Sequence, residues 1–156
     1  MSYTIPDEPR PSPWNHLVVR PNAPLLASML CGAWLAWPWF AFNAIAMGSP
    51  TRRREIAMCV AGVVGTAVLG VIALALWGPD TPPWIIELAL LAIATWKLGV
   101  AYAVSTVQSR TFEVYVHYGG TVRAAHYVLA AGMYLRGLLL GAIDDPLIII
   151  IIAGGV

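Results

Sequence analysis

Charge is what this chain has least of. Only 11% of its 156 residues are charged, against about a quarter in an ordinary soluble domain, and a single lysine, Lys97, stands among them. That deficit excludes a water-soluble fold of the usual kind. The nine basic and eight acidic residues nearly cancel, to a formal charge of +1, which excludes an electrostatic nucleic-acid binder and a polybasic surface anchor alike. Cysteine is scarce too. Cys31 and Cys59 both fall inside apolar runs, so a disulfide scaffold and a clustered Cys/His zinc site are excluded, and both thiols are expected to pack as small hydrophobes. Catalytic signatures are missing: there is no H-E-x-x-H, no G-x-S-x-G, no phosphate-binding loop and no dinucleotide fingerprint. His16, His117 and His126 are spaced for neither a shared metal nor a haem. No cofactor and no enzymatic activity are expected.

What is there is apolar surface, 59% hydrophobic residues with a mean hydropathy of +0.73. The expected fold class is an all-α membrane protein, a small bundle of about four transmembrane helices. Residues 1–23 form a proline-rich arm, with Pro6, Pro9, Pro11, Pro13 and Pro21 and the acidic pair Asp7 and Glu8, unsuited to a signal peptide and expected to be extended. Residues 24–156 form the membrane domain, with spans at about 24–48, 56–77, 84–108 and 123–143 and an apolar tail at 147–156.

The first run contains Pro38 amid Trp34, Trp37 and Trp39. It reads as a span kinked at Pro38 or as a re-entrant hairpin bent there. The kinked span is preferred, because exposed non-helical backbone is costly in lipid. The three tryptophans are then expected to face lipid, while Trp77 and Trp84 suit an interfacial belt. The second run repeats small residues every four positions, Gly62, Thr66 and Gly70, a face that lets another helix approach closely; Gly137 and Gly141 repeat that interval in the fourth. Between the third and fourth runs, Arg110, Glu113 and His117 share one helical face, although Phe112, Val114, Val116 and Tyr118 also alternate as in a strand. A helix ended by Gly119 and Gly120 is preferred, and Thr121 is the expected N-cap of the next. Asp144, Asp145 and Pro146 break the last helix.

Charges inside apolar runs are the candidate functional feature. Lys97 and Arg136 fall near mid-span, where a lone charge costs about 2.5–3.5 kcal/mol. Glu87 is ten residues from Lys97, about 15 Å along a helix, and on another face. The third and fourth helices are therefore expected to face each other along a polar seam of Glu87, Lys97, Gln108, Arg136, Asp144 and Asp145, with the cations reaching toward the carboxylates. The leading function is that of a non-enzymatic subunit or accessory factor acting through helix packing, its partners being the lipid bilayer and further copies of the chain or other membrane subunits. The alternative is a minimal transporter or channel subunit with a charged pathway through Lys97, Arg136, Asp144 and Asp145.

Positive charge sets the expected orientation. Loops 49–55, with Arg52, Arg53 and Arg54, and 109–122, with Arg110, are cytoplasmic, and loop 78–83 is outside. Eight arginines to one lysine point to a GC-rich bacterial genome, hence to a bacterial cytoplasmic (inner) membrane.

Overall fold

The computed structural model describes residues 12–153. Residues 1–11 of the proline-rich arm and 154–156 of the apolar tail lie outside the described residues. Within them the chain forms six α-helices and no strand: α1 (Asn22–Leu30), α2 (Ala33–Met47), α3 (Arg52–Leu76), α4 (Pro83–His117), α5 (His126–Ala142) and α6 (Pro146–Ile152), preceded by a 3-10 turn at Asn15–Leu17.

The centre of the molecule is the antiparallel pair α3–α4. At 25 and 35 residues these helices are about 37 and 52 Å long. They are the two helices, among the described residues, that are long and apolar enough to cross a membrane. Neither has a proline beyond its first turn, and Pro82 and Pro83 start α4, where a missing N–H costs nothing.

The first apolar run is not one rod. The chain reverses at Gly32, whose φ of 101° is a conformation that a side chain would oppose. Pro38 lies inside α2 without ending it. The expected bend at Pro38 is thus displaced by six residues, and the single span it belonged to is a hairpin of two helices packed side by side. Ala23, Ala27 and Cys31 of α1 meet Ala36 and Trp39 of α2. At the open end the Ser12 amide reaches the Ala46 carbonyl, 3.3 Å away. Gly48, left-handed at φ 66°, closes α2 and turns the chain into α3. The 15 residues of α2 span about 22 Å, so the hairpin tip reaches a little past the middle of α3.

Beyond α4 two further expectations are corrected. The segment 109–117 continues α4 as helix, but Thr121 is not an N-cap: α5 starts five residues later, at His126. Residues 118–125 instead bind the N-terminal segment. The Tyr115 hydroxyl donates to the carbonyls of Asn15 and Thr121, each at 3.1 Å, and the Arg123 amide donates to the Val18 carbonyl at 2.7 Å. These groups outcompete a helical turn, because they satisfy backbone polar atoms of both segments together. The expected pairing of the third and fourth runs is also absent: α4 packs on α3, α1 and α2, and α5 packs on α1 and α6. After α5 the chain breaks at Ile143–Asp145, and the Asp145 carboxylate caps α6 by accepting from the amides of Leu147 and Ile148. From there α6 runs back along α3, with Leu147 and Ile150 against Gly70.

Glycines in this packing make a direct test. A Cβ at Gly62 would lie 2.8 Å from the ring of Trp37, which is only 3% exposed and has nowhere to move. Gly62→Ala is expected to cost about 1–3 kcal/mol. Gly137 and Gly141 have no neighbour within 4 Å, so Gly137→Ala is expected to be neutral or to stabilise by up to about 1 kcal/mol. Thermal unfolding of the two variants in one detergent compares them; equal midpoints would contradict the packing at Gly62.

Candidate functional site

Side chains are distributed inside out relative to a water-soluble bundle. Val60, Val64, Val68 and Val71 of α3 are each more than half exposed, as are Leu88, Leu91 and Tyr102 of α4 and Tyr127, Met133 and Tyr134 of α5. Buried beside an apolar core that includes Trp37, Phe40, Met47 and Val104 are the polar residues Asn43, Ser49, Glu55, Thr66, Lys97, Ser105, Gln108 and Thr111. Only 28% and 17% of the most apolar stretches of α3 and α4 are buried, far less than in the core helix of a soluble domain.

The buried polar groups form three sets. The first joins the hairpin to α4. Asn43 Oδ1 accepts from the Val19 amide at 3.0 Å, while its Nδ2 donates to the Val19 carbonyl at 3.1 Å and to Gln108 Oε1 at 3.2 Å. Gln108 Nε2 in turn donates to the Phe40 carbonyl at 2.7 Å. Asn43 thus imitates a neighbouring strand, satisfying both backbone groups of Val19 where the chain is extended and cannot satisfy them itself. Ser105 adds a bond to the Pro21 carbonyl, 3.3 Å away.

The second set lies where α2 turns into α3. Glu55 is fully buried; its Oε1 accepts from the hydroxyls of Ser49 and Thr51, and Thr111 approaches Ser49 at 3.5 Å. Its second oxygen, Oε2, has no hydrogen-bond partner among the described residues. A carboxylate in the first turn of α3 also complements the positive end of that helix.

The third set consists of cations on helix ends. Lys97, the fifteenth residue of α4, is 3% exposed, and its Nζ donates to the carbonyls of Ile150 and Ala153 at the end of α6. Arg136 of α5 donates from Nη1 to the Leu30 carbonyl, 3.1 Å away at the end of α1. The last carbonyls of a helix lack intrahelical partners and carry the negative end of its dipole. Each cation therefore sits where a short helix stops, Lys97 in the interior and Arg136 at the half-exposed end of α1.

The expected ionic seam does not assemble in that form. Lys97 and Gln108 are buried on α4, but Lys97 binds backbone carbonyls rather than a carboxylate. Glu87 and Asp144 are exposed, and Asp145 is committed to capping α6. Arg136 lies against α1, on a different helix end from Lys97. Of the small-residue positions, Gly62 and Gly70 are in close contact and Thr66 is fully buried, its hydroxyl returned to the Gly62 carbonyl. On α5 the close approach is at Gly132, against Cys31 and Leu35, rather than at Gly137 or Gly141. The tryptophans expected to face lipid also differ: Trp37 and Trp39 are buried, and Trp34 Nε1 donates to the Cys31 carbonyl at 2.7 Å. Sequence reasoning missed Asn43 and Glu55. A lone amide within the first apolar run was the available signal for Asn43; Glu55, beside three arginines, reads as part of a charged flank.

Two cavities flank α3 and α4. One, of about 500 Å³, is lined by Thr51, Arg54, Thr106, Arg110 and Thr111 among others. The other, of about 830 Å³, is almost wholly apolar and includes Met58, Leu69, Leu88, Trp96 and Gly99. Among the described residues no group of three His, Cys, Asp or Glu is gathered as a metal site. The chain matches no protein-family model, no curated protein and no solved structure.

Proposed function

We propose that this is an integral membrane protein acting as a non-enzymatic subunit or accessory factor. In this reading α3 and α4 cross the bilayer completely. The α1–α2 hairpin enters halfway from the arginine end, and α6 enters halfway from the end of Asp80, Asp144 and Asp145. Because α4 ends at the arginine end and α6 starts at the opposite one, α5 carries the chain across between them, so three crossings and two half-depth elements replace four full crossings. The observation that carries the reading is the inverted distribution of side chains. Valine and leucine faces turn outward, whereas amides, hydroxyls, a carboxylate and an ammonium turn inward and bind one another or backbone carbonyls. Water would penalise such a surface; an acyl environment requires it, because each unsatisfied polar group there costs several kcal/mol.

The engagement of Lys97 and Arg136 with helix-end carbonyls favours a packing role over a charged solute pathway. The open flank of α5 at Gly137 and Gly141 is where a further helix, from a second copy or another subunit, packs in this reading. The arginine end faces a bacterial cytoplasm by the positive-inside rule.

Topology tests this directly. Single cysteines placed by Arg53→Cys and Asp80→Cys in a Cys31→Ala/Cys59→Ala background are treated in intact cells with a membrane-impermeant maleimide. Asp80→Cys is expected to label and Arg53→Cys only after lysis, with the protein resisting carbonate extraction. Extraction by carbonate, or labelling of both sites from outside, overturns the membrane reading. Purified chain in proteoliposomes is expected to conduct no ions; flux that Lys97→Met abolishes would favour the transporter alternative.

A further inference from the structure

The linings of the two cavities beside α3 and α4 succeed one another along one face of each helix. On α4 their linings follow a single helical stripe: Leu88, Ala92, Gly99, Ala103, Thr106 and Arg110, every step a combination of three- and four-residue intervals, as neighbours on one face must be. Arg54, Met58 and Ala61 continue the matching stripe on α3. The chemistry changes abruptly along it. The part near the start of α3 presents two guanidinium groups, and no carboxylate lines it among the described residues. The part beyond, from Ala103 to Leu88, is apolar for about 22 Å.

We infer that the two linings form one groove that binds one anionic phospholipid, its phosphate between Arg54 and Arg110 and an acyl chain along the apolar stretch past Gly99. The inference rests on the reading of α3 and α4 as bilayer spans, which places the arginines at headgroup level and the stripe at acyl depth. Two features support this occupant over a bare anion or a second copy of the chain. A free phosphate uses only the cationic third of the groove and leaves the 830 Å³ apolar part unfilled. A second copy would bring its own arginines against Arg54 and Arg110 in a symmetric contact. Planar guanidinium forks suit phosphate oxygens, and cations at a membrane surface favour anionic lipid. Glu55 is not among the lining residues; its Oε1 accepts from Ser49 and from Thr51, which does line the cavity.

The test is lipid retention by the full chain in neutral detergent, read by native mass spectrometry with palmitoyl-oleoyl phosphatidylglycerol, the matching phosphatidylcholine and inorganic phosphate as separate probes. Wild type is expected to retain one phosphatidylglycerol with roughly tenfold or greater preference over phosphatidylcholine. Arg54→Gln/Arg110→Gln is expected to lose that preference, while Arg52→Gln/Arg53→Gln keeps it. Gly99→Leu fills the groove at a position where an added Cβ meets nothing within 4 Å, and is expected to weaken retention of both lipids several-fold with an unchanged melting temperature. Equal binding of the two lipids by wild type overturns the proposal, as does preference undiminished in Arg54→Gln/Arg110→Gln. Inorganic phosphate protecting as well as lipid, with Gly99→Leu inert, would make it a free-anion site, and a lipid-free dimer would make it an interface between copies. If these outcomes arise while the chain still resists carbonate and labels asymmetrically, only the lipid site fails.

Discussion

Asn43→Leu is expected to destabilise the protein by about 3–5 kcal/mol, the largest effect of any single substitution in the hairpin. The substitution keeps the volume close and removes one amide, yet it strands three partners: the amide and carbonyl of Val19 and the Oε1 of Gln108. Each buried group left unsatisfied costs about 1–3 kcal/mol. Asn43 is fully buried, so water is not at hand to replace it. The loss is also directional. Val19 precedes α1, so once it is released the hairpin's open end loses its tie to α4 through Gln108. Gln108→Leu is the comparison: it removes the second donor to Phe40 O, which keeps its helical bond, and strands one amide hydrogen of Asn43, and should cost about half as much or less. Hydrogen exchange resolves the mechanism. In Asn43→Leu the amides of α1 should exchange faster, while those of α3 keep their protection; uniform loss across the chain, or a melting point unchanged from wild type, would contradict the bracing role of Asn43.

Helix content and the two long apolar helices were legible because they depend on local regularities. Uninterrupted apolar sequence from Ile56 to Trp77, and a long run from Trp84 broken only by the charged Glu87 and Lys97 before Gln108, leave few alternatives to helix, and the four-residue interval of Gly62, Thr66 and Gly70 is a property of neighbouring turns. The direction of a chain is a different matter. Hydropathy counts the length of the first run without distinguishing a rod from a hairpin. The decisive residue, Gly32, looks like any small residue of an apolar helix until its φ is known. Pro38 drew the expected bend because proline is the strongest helix breaker, but within the 15 residues of α2 it forfeits one hydrogen bond, and Trp37 and Phe40 packed on either side hold the helix together. The acceptors of Lys97 were missed for a comparable reason. Pairing cations with carboxylates treats side chains as the only acceptors. A helix end packed against its neighbours offers backbone carbonyls at least as well placed, and where such ends fall cannot be seen until the ends of α1 and α6 are located.

That substitution of backbone for carboxylate gives the second large effect its particular form. Lys97→Met removes the donor shared by the carbonyls of Ile150 and Ala153 and is expected to cost about 2–4 kcal/mol, since charge-assisted bonds to buried acceptors are the strong ones. Deleting residues 146–156 removes the acceptors instead and leaves an ammonium in the middle of α4, at about 2.5–3.5 kcal/mol for an uncompensated charge, together with the packing of Leu147 and Ile150 on Gly70. If Lys97 serves to hold the end of α6, the two changes cannot add. Lys97→Met in the shortened chain should restore stability relative to the shortened chain alone, because a methionine needs no partner. The double-mutant cycle should therefore show a coupling of about 1–3 kcal/mol, read from thermal unfolding in a single detergent. A pathway lysine would behave otherwise: its ammonium would be hydrated in a cavity, Lys97→Met would leave stability nearly unchanged in the full chain, and the coupling to residues 146–156 would vanish.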